Sequence, residues 1–150
     1  MDERPPKTIT ILKRIAEHCK DIDNSIEYFG NSVDVFQSNK IYRDVCCMYV
    51  AQIGELSCHL TDEFKQAFDE ISWKDIETLS NVFGNNSSGS LVWSAIHEEM
   101  PKLAGFCEKV IMQYYAIIKA VPDEGLDELY DDDWDEDADD VKRTQLFIDQ

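Results

Sequence analysis

Histidine is the side chain that most readily trades a proton near neutral pH, and this sequence has three: His18, His59 and His97. Their neighbours in sequence offer little to work with. His18 and His59 fall beside apolar positions of helical spacing, where boundary residues sit. His97 precedes Glu98 and Glu99, but the second histidine of a His-Glu-x-x-His metal helix is absent. Cys58-His59 could open a metal site, yet no second pair is spaced to complete one, so no metal ligand set and no cofactor is expected. Ser87 and Ser88 lack an adjacent base and the sharp elbow of a serine nucleophile. Structural or loop roles account for all of these residues.

The five cysteines, Cys19, Cys46, Cys47, Cys58 and Cys107, are odd in number and form no Cys-x-x-Cys pair. That pattern fits reduced thiols serving as small core residues in a cytoplasmic protein. No apolar run approaches the ~20 residues of a membrane span. The opening MDERPPKT lacks the basic-then-apolar layout of a signal peptide. A cytoplasmic protein without membrane attachment is the expectation.

The elements that carry these residues are helices. Leu12, Ile15, Cys19, Ile22, Ile26 and Phe29 recur at 3-4-3-4-3 spacing, with Pro5-Pro6 before them and Gly30-Asn31 after. Val33 to Gln37 fits one helical turn. A second stripe, Cys46, Tyr49, Ile53, Leu56 and Leu60, places a helix over about Asn39 to Leu60. Gly54 lies inside it at a cost of about 1 kcal/mol against alanine, which close approach by a neighbouring helix would explain. Thr61-Asp62-Glu63 opens a connection carrying Phe64 and Phe68. A third helix starts at Ser72, with Ser72 and Asp75 resembling a capping box and Ile76, Leu79 and Phe83 as its apolar face. It ends at the loop Gly84 to Gly89. Ser90 can cap a fourth helix, striped by Ile96, Met100, Leu103, Cys107, Val110, Tyr114 and Ile117 and closed by Pro122. Pro101 either kinks that helix or opens a separate one. Adjacent Tyr114 and Tyr115 cannot both face one core, so one of them is a candidate for a subunit interface or simply an exposed ring. With no alternating strand pattern, the fold class is all-α.

Charge divides the chain. Residues 1–122 carry 18 acids and 12 bases, and residues 123–150 carry 13 acids and 2 bases. The first part is the bundle domain, and the second is an acidic tail. Neither has the basic footprint of an independent nucleic-acid binder. The tail's charge density opposes packing, while Tyr130 and Trp134 within it are candidates for anchoring in a partner's groove.

The order of several short stretches resembles a known family. Tyr42-Arg43-Asp44-Val45 leads to Ile53-Gly54-Glu55 on the second helix. Leu60-Thr61-Asp62-Glu63-Phe64 follows, then Ile71-Ser72-Trp73-Lys74-Asp75-Ile76, Leu79-Ser80-Asn81-Val82-Phe83, Trp93 and Pro101-Lys102-Leu103. Over roughly residues 8–115 this ordered set is similar to the HepT-like family of HEPN-domain proteins. The resemblance implies a HEPN-type bundle of four to five antiparallel helices and a homodimer. It implies a cognate minimal nucleotidyltransferase that acts as antitoxin. It also implies, in active members, metal-independent RNA cleavage by an Arg-x(4–6)-His motif at the end of the third helix. Many members carry a tyrosine two residues after that histidine, which the antitoxin modifies with AMP.

Such chemistry needs a group to move a proton at the 2′-hydroxyl or the leaving oxygen, and a cation on the phosphate. Here the family's Arg-Asn pair falls on Ser80-Asn81. Its histidine falls on Asn85, or on Asn86 if the gap is placed differently, and its tyrosine near Ser87. The stretch from there to Trp93 is also about three residues shorter than the family's usual pattern. The nearest bases along the chain are Lys74 and Lys102. Losing a proton-transfer group costs ~10²–10⁴ in rate and losing an electrostatic contact ~10²–10³. The expectation is a HepT-like subunit that binds its nucleotidyltransferase with ribonuclease activity eroded, touching RNA only if activity remains. Two alternatives stay open: a working HEPN ribonuclease toxin with an altered site, and an acidic-tail interaction protein outside toxin–antitoxin systems.

Overall fold

A computed structural model describes residues 6–81 and 89–120. All regular structure among the described residues is helical: α1 (Lys7–Phe29), α2 (Val33–Ser38), α3 (Lys40–Cys58), α4 (Asp62–Ala67), α5 (Trp73–Thr78), a 3-10 turn (Leu79–Asn81), α6 (Gly89–His97) and α7 (Glu99–Ala120). The all-α class is as the apolar periodicities predict. The acidic tail, with Tyr130 and Trp134, lies outside the described residues, as does the junction at residue 122.

Pro6 stands at the start of α1, where its missing N–H costs nothing and its carbonyl accepts from Thr10 N at 3.1 Å. The buried face, Ile9, Leu12, Ile15, Cys19 and Ile22, packs α1 against both α3 and α7. Gly30 ends the helix at φ 111°, ψ 138°. The positive φ suits glycine, but the backbone is more extended than a left-handed helical cap. Asn39 caps α3 by accepting from Tyr42 N at 3.1 Å.

Helix α3 is central, touching α1 on one side and α5, α6 and the 3-10 turn on another. Its burial therefore extends beyond one stripe. Tyr42, Val50, Gly54 and Ser57 are buried with Cys46 and Ile53, while Tyr49 and Leu56 are only half-buried against the core.

Three local expectations change, and the choice left open at Pro101 is decided. The connection after Thr61 is a helix, α4, with Thr61 Oγ1 accepting from Phe64 N at 3.1 Å. As far as Asn81 the expected third helix is one short helix and a 3-10 turn, Phe83 lying outside the described residues, and Ser72 at its start makes no side-chain cap bond. Ser90 is a residue within α6 rather than its cap. The fourth helix is two, broken at Glu98, with Pro101 in the first turn of α7, where a missing N–H is harmless.

Two aromatic clusters lock the short pieces in place. Trp73 Nε1 donates to Phe68 O at 2.9 Å, and the Trp73 ring meets Phe106 edge-on at 5.6 Å and Phe64 at 6.0 Å. At the other, Tyr42 stacks on Phe29 at 4.7 Å and meets Phe36 edge-on, and Phe36 reaches Trp93 of α6. Such pairs contribute ~0.5–1.5 kcal/mol each beyond the area they bury.

Candidate functional site

The corner that the Arg-x(4–6)-His resemblance points to begins at the Leu79–Asn81 turn. It is placed by contact with the middle of α3. A Cβ built on Gly54 would lie 2.5 Å from Ser80 N, 2.8 Å from Ile76 O and 3.1 Å from Leu79 C. Only a glycine lets two backbones approach this closely, as the helix-interior glycine suggests. On the other side, Lys65 Nζ of α4 and Glu77 Oε1 of α5 form a largely buried ion pair at 2.9 Å.

Ser80, where the resemblance places the family's arginine, is partly buried, and its hydroxyl donates to Glu77 O at 2.9 Å. Asn81 is exposed beside it. Asn85, Asn86 and Ser87 lie outside the described residues, so their positions relative to Ser80 are not part of the geometry described. The chain is described again from Gly89, which abuts the N-terminal half of α3. A Cβ there would meet Arg43 Cδ and Phe36 Cε2, each at 3.3 Å.

Arg43 is the cation that spacing along the chain did not single out. It reaches Gly89 through the fold, from a position 46 residues earlier. Its Nη1 donates to Gln37 O and, at 3.3 Å, to Phe36 O. Arg43 thus closes the C-terminal end of α2 as well as bordering the corner's downstream flank. The Tyr42-Arg43-Asp44 stretch was visible in the sequence, but its contact with Gly89 is a tertiary fact.

The histidines are held elsewhere. His97 Nδ1 lies 2.9 Å from Trp93 O and its Nε2 2.7 Å from the Asn31 side chain. His18 lies by Tyr49, with ring centroids 5.7 Å apart, and 3.9 Å from Asp21. His59 is exposed near Glu55. None of these contacts involves the Leu79–Asn81 turn.

The buried thiols offer no nucleophile. Burial, helped by Asp23 and Glu108, pushes Cys19 up to about 12. Burial, with Cys47 adding, pushes Cys46 up to about 12. Burial likewise raises Cys107, Cys47 and Cys58. The thiolate is the reactive form, so the buried Cys19, Cys46 and Cys107 are held in their inert state. Among the described residues, no group of three or more His, Cys, Asp or Glu side chains could hold a metal ion. No helix there is long and apolar enough to cross a membrane.

Tyr114 and Tyr115 divide as their adjacency requires. Tyr114 is buried, whereas Tyr115 is exposed and receives Lys13, which donates to its hydroxyl and lies 4.9 Å from the ring centroid.

Comparison with known proteins bears on the family of the chain. The family model described as "HepT-like: Ribonuclease HepT-like" matches residues 15–110, from within α1 to within α7. The chain is 27% identical over 85 residues to a protein of Methanocaldococcus jannaschii named "Putative RNase MJ1380", covering 53% of this chain and 78% of that one. No solved structure matches the chain. With more than half of its length matched by the family model, the chain belongs to the HepT-like ribonuclease family.

Proposed function

We propose that this chain is the HepT-type subunit of a toxin–antitoxin pair, a cytoplasmic homodimer that binds a cognate minimal nucleotidyltransferase and no longer cleaves RNA efficiently. One observation carries the reading. At the family's arginine position stands Ser80, and its hydroxyl is committed to the Glu77 carbonyl. A serine so placed brings no positive charge to a phosphate and takes no proton from a 2′-hydroxyl. The substitutions at Asn85 and Ser87 point the same way, since asparagine does not titrate and the tyrosine acceptor of AMP is missing. In the acidic tail, Tyr130 and Trp134 add a second contact to the partner.

Arg43 favours a second reading, a ribonuclease with a rebuilt site, because its side chain passes beside Gly89 at Cδ. Its bonds to two α2 carbonyls weigh against that role.

Co-expression with the protein encoded next to it, followed by copurification and an RNA-cleavage assay in EDTA, separates these readings. The proposal expects a stable complex with a nucleotidyltransferase and intact RNA at high concentrations of the free chain. A neighbouring nucleotidyltransferase that forms no complex overturns it. EDTA-resistant cleavage that depends on Arg43 establishes the second reading.

A further inference from the structure

A groove lies between α5 and the elbow where α6 meets α7. Two recesses form it, with volumes of about 340 and 230 Å³, and Glu99 lines both. Its walls are partly apolar, from Leu79 and Ala95 in the first recess and Ile71 and Ile76 in the second. Its charged groups are Asp75, Glu98 and Glu99 against the single Lys102. Leu91, on the wall of the first recess, is 47% exposed.

One atom in this groove is out of balance. Glu99 Oε2 is buried and has no hydrogen-bond partner among the described residues. Glu99 opens α7, where the helix dipole favours a negative charge, but the dipole gives this oxygen no donor. A carboxylate oxygen withdrawn from water without a donor is unfavourable. Its neighbour Glu98 is satisfied differently, with Ser94 Oγ donating to Oε2 at 3.0 Å.

We propose that this groove docks a basic segment of the partner protein, with an arginine side chain reaching Glu99 and an adjacent apolar side chain covering Leu91. The acidic excess selects a cation, and a guanidinium's planar donors match a carboxylate better than an ammonium does. The exposed leucine requires more than a free cation. The inference rests on the proposed binding of a nucleotidyltransferase and says where that partner sits. Because Leu79 is shared between the groove and the 3-10 turn, a protein seated here also stands over the corner that relatives use on RNA.

The test is calorimetric titration of the full chain with the nucleotidyltransferase encoded beside it. Glu99→Gln keeps the shape and removes the charge, and Leu91→Asp changes an exposed position. Each should weaken binding ~10-fold or more, with unchanged thermal unfolding. Met112→Asp, on an exposed part of α7 outside the groove, should bind like the unaltered chain. If the unaltered chain binds and both groove variants bind equally well, the groove is overturned while the proposed function stands. If the unaltered chain does not bind, both fall. If the groove variants instead change the sedimentation of the chain alone and leave the complex intact, a second copy occupies the groove and the arginine-bearing partner is overturned.

Discussion

Gly54, midway along α3, faces the backbone nitrogen of Ser80 so closely that a methyl group on it would lie 2.5 Å away. This contact fixes where the 3-10 turn leaves the bundle. Gly54→Ala would gain roughly 1 kcal/mol of helix propensity. Against that, the new carbon meets backbone atoms of Ile76, Leu79 and Ser80, none of which swings aside as a side-chain end does. Overpacking of this kind costs ~1–3 kcal/mol, occasionally more. With backbone on all three contacts the cost falls in the upper half of that range, which leaves a net loss of about 1–2 kcal/mol, read as a lower urea midpoint with an unchanged slope. An unaltered or raised midpoint would contradict the tight crossing.

The cysteines should divide by burial when probed with a thiol reagent. Cys58 is exposed, Cys47 is half-buried, and Cys19, Cys46 and Cys107 are buried. At pH 8 the native protein should react promptly at Cys58 and slowly at Cys47. The other three should react only after unfolding. Mass spectrometry of the labelled peptides checks this, and prompt labelling of Cys107 would count against the packing of α1 on α7.

The same thiols predict an alkaline weakness. Cys19 and Cys46 are pushed up to about 12 in the folded chain from an ordinary value of 9.0. Below pH 9 both folded and unfolded chains keep these protons, so this contribution to stability is intact. Between pH 9 and about 12 the unfolded chain releases them first, and the contribution is progressively lost. The urea midpoint should therefore fall from pH 9 to pH 11, and Cys19→Ala should flatten that fall while lowering the midpoint at pH 8. An equally steep fall in the variant would remove Cys19 as a cause.

What could be read in advance was local and periodic. The stripe from Leu12 onward, Gly30 as a helix end, Asn39 at the start of α3 and the reason for Gly54 all follow from spacing or backbone chemistry within a few residues. Less legible were features set by partners distant in sequence. The α4 helix offers only Phe64 as a fully buried side chain, too little for a periodic signal. Tyr42 and Val50 are buried because α3 has neighbours on more than one side, which a single-stripe reading misses. Arg43 beside Gly89, and Glu99 between two recesses, exist only once the chain has folded.

The proposed erosion of the motif can be challenged by rebuilding it. The resemblance aligns the family's arginine with Ser80 and its histidine with Asn85, or with Asn86 if the gap is placed differently. Ser80→Arg removes a hydroxyl whose bond to Glu77 O is local to the turn. Because Ser80 is only partly buried, a longer side chain has a way out to solvent. Restoring the charge alone should leave RNA intact, since nothing at the corner would then move a proton. Ser80→Arg combined with Asn85→His should give EDTA-resistant cleavage at least ~10²-fold above the unaltered chain, the lower end of what a proton-transfer group contributes. That cleavage should follow a pH profile with a limb near the ordinary histidine range, a signature absent from the single variants. A folded double variant that leaves RNA whole would mean that loss of these two side chains is not what separates this chain from its cutting relatives, and that the corner's backbone or its dimer partner has changed as well.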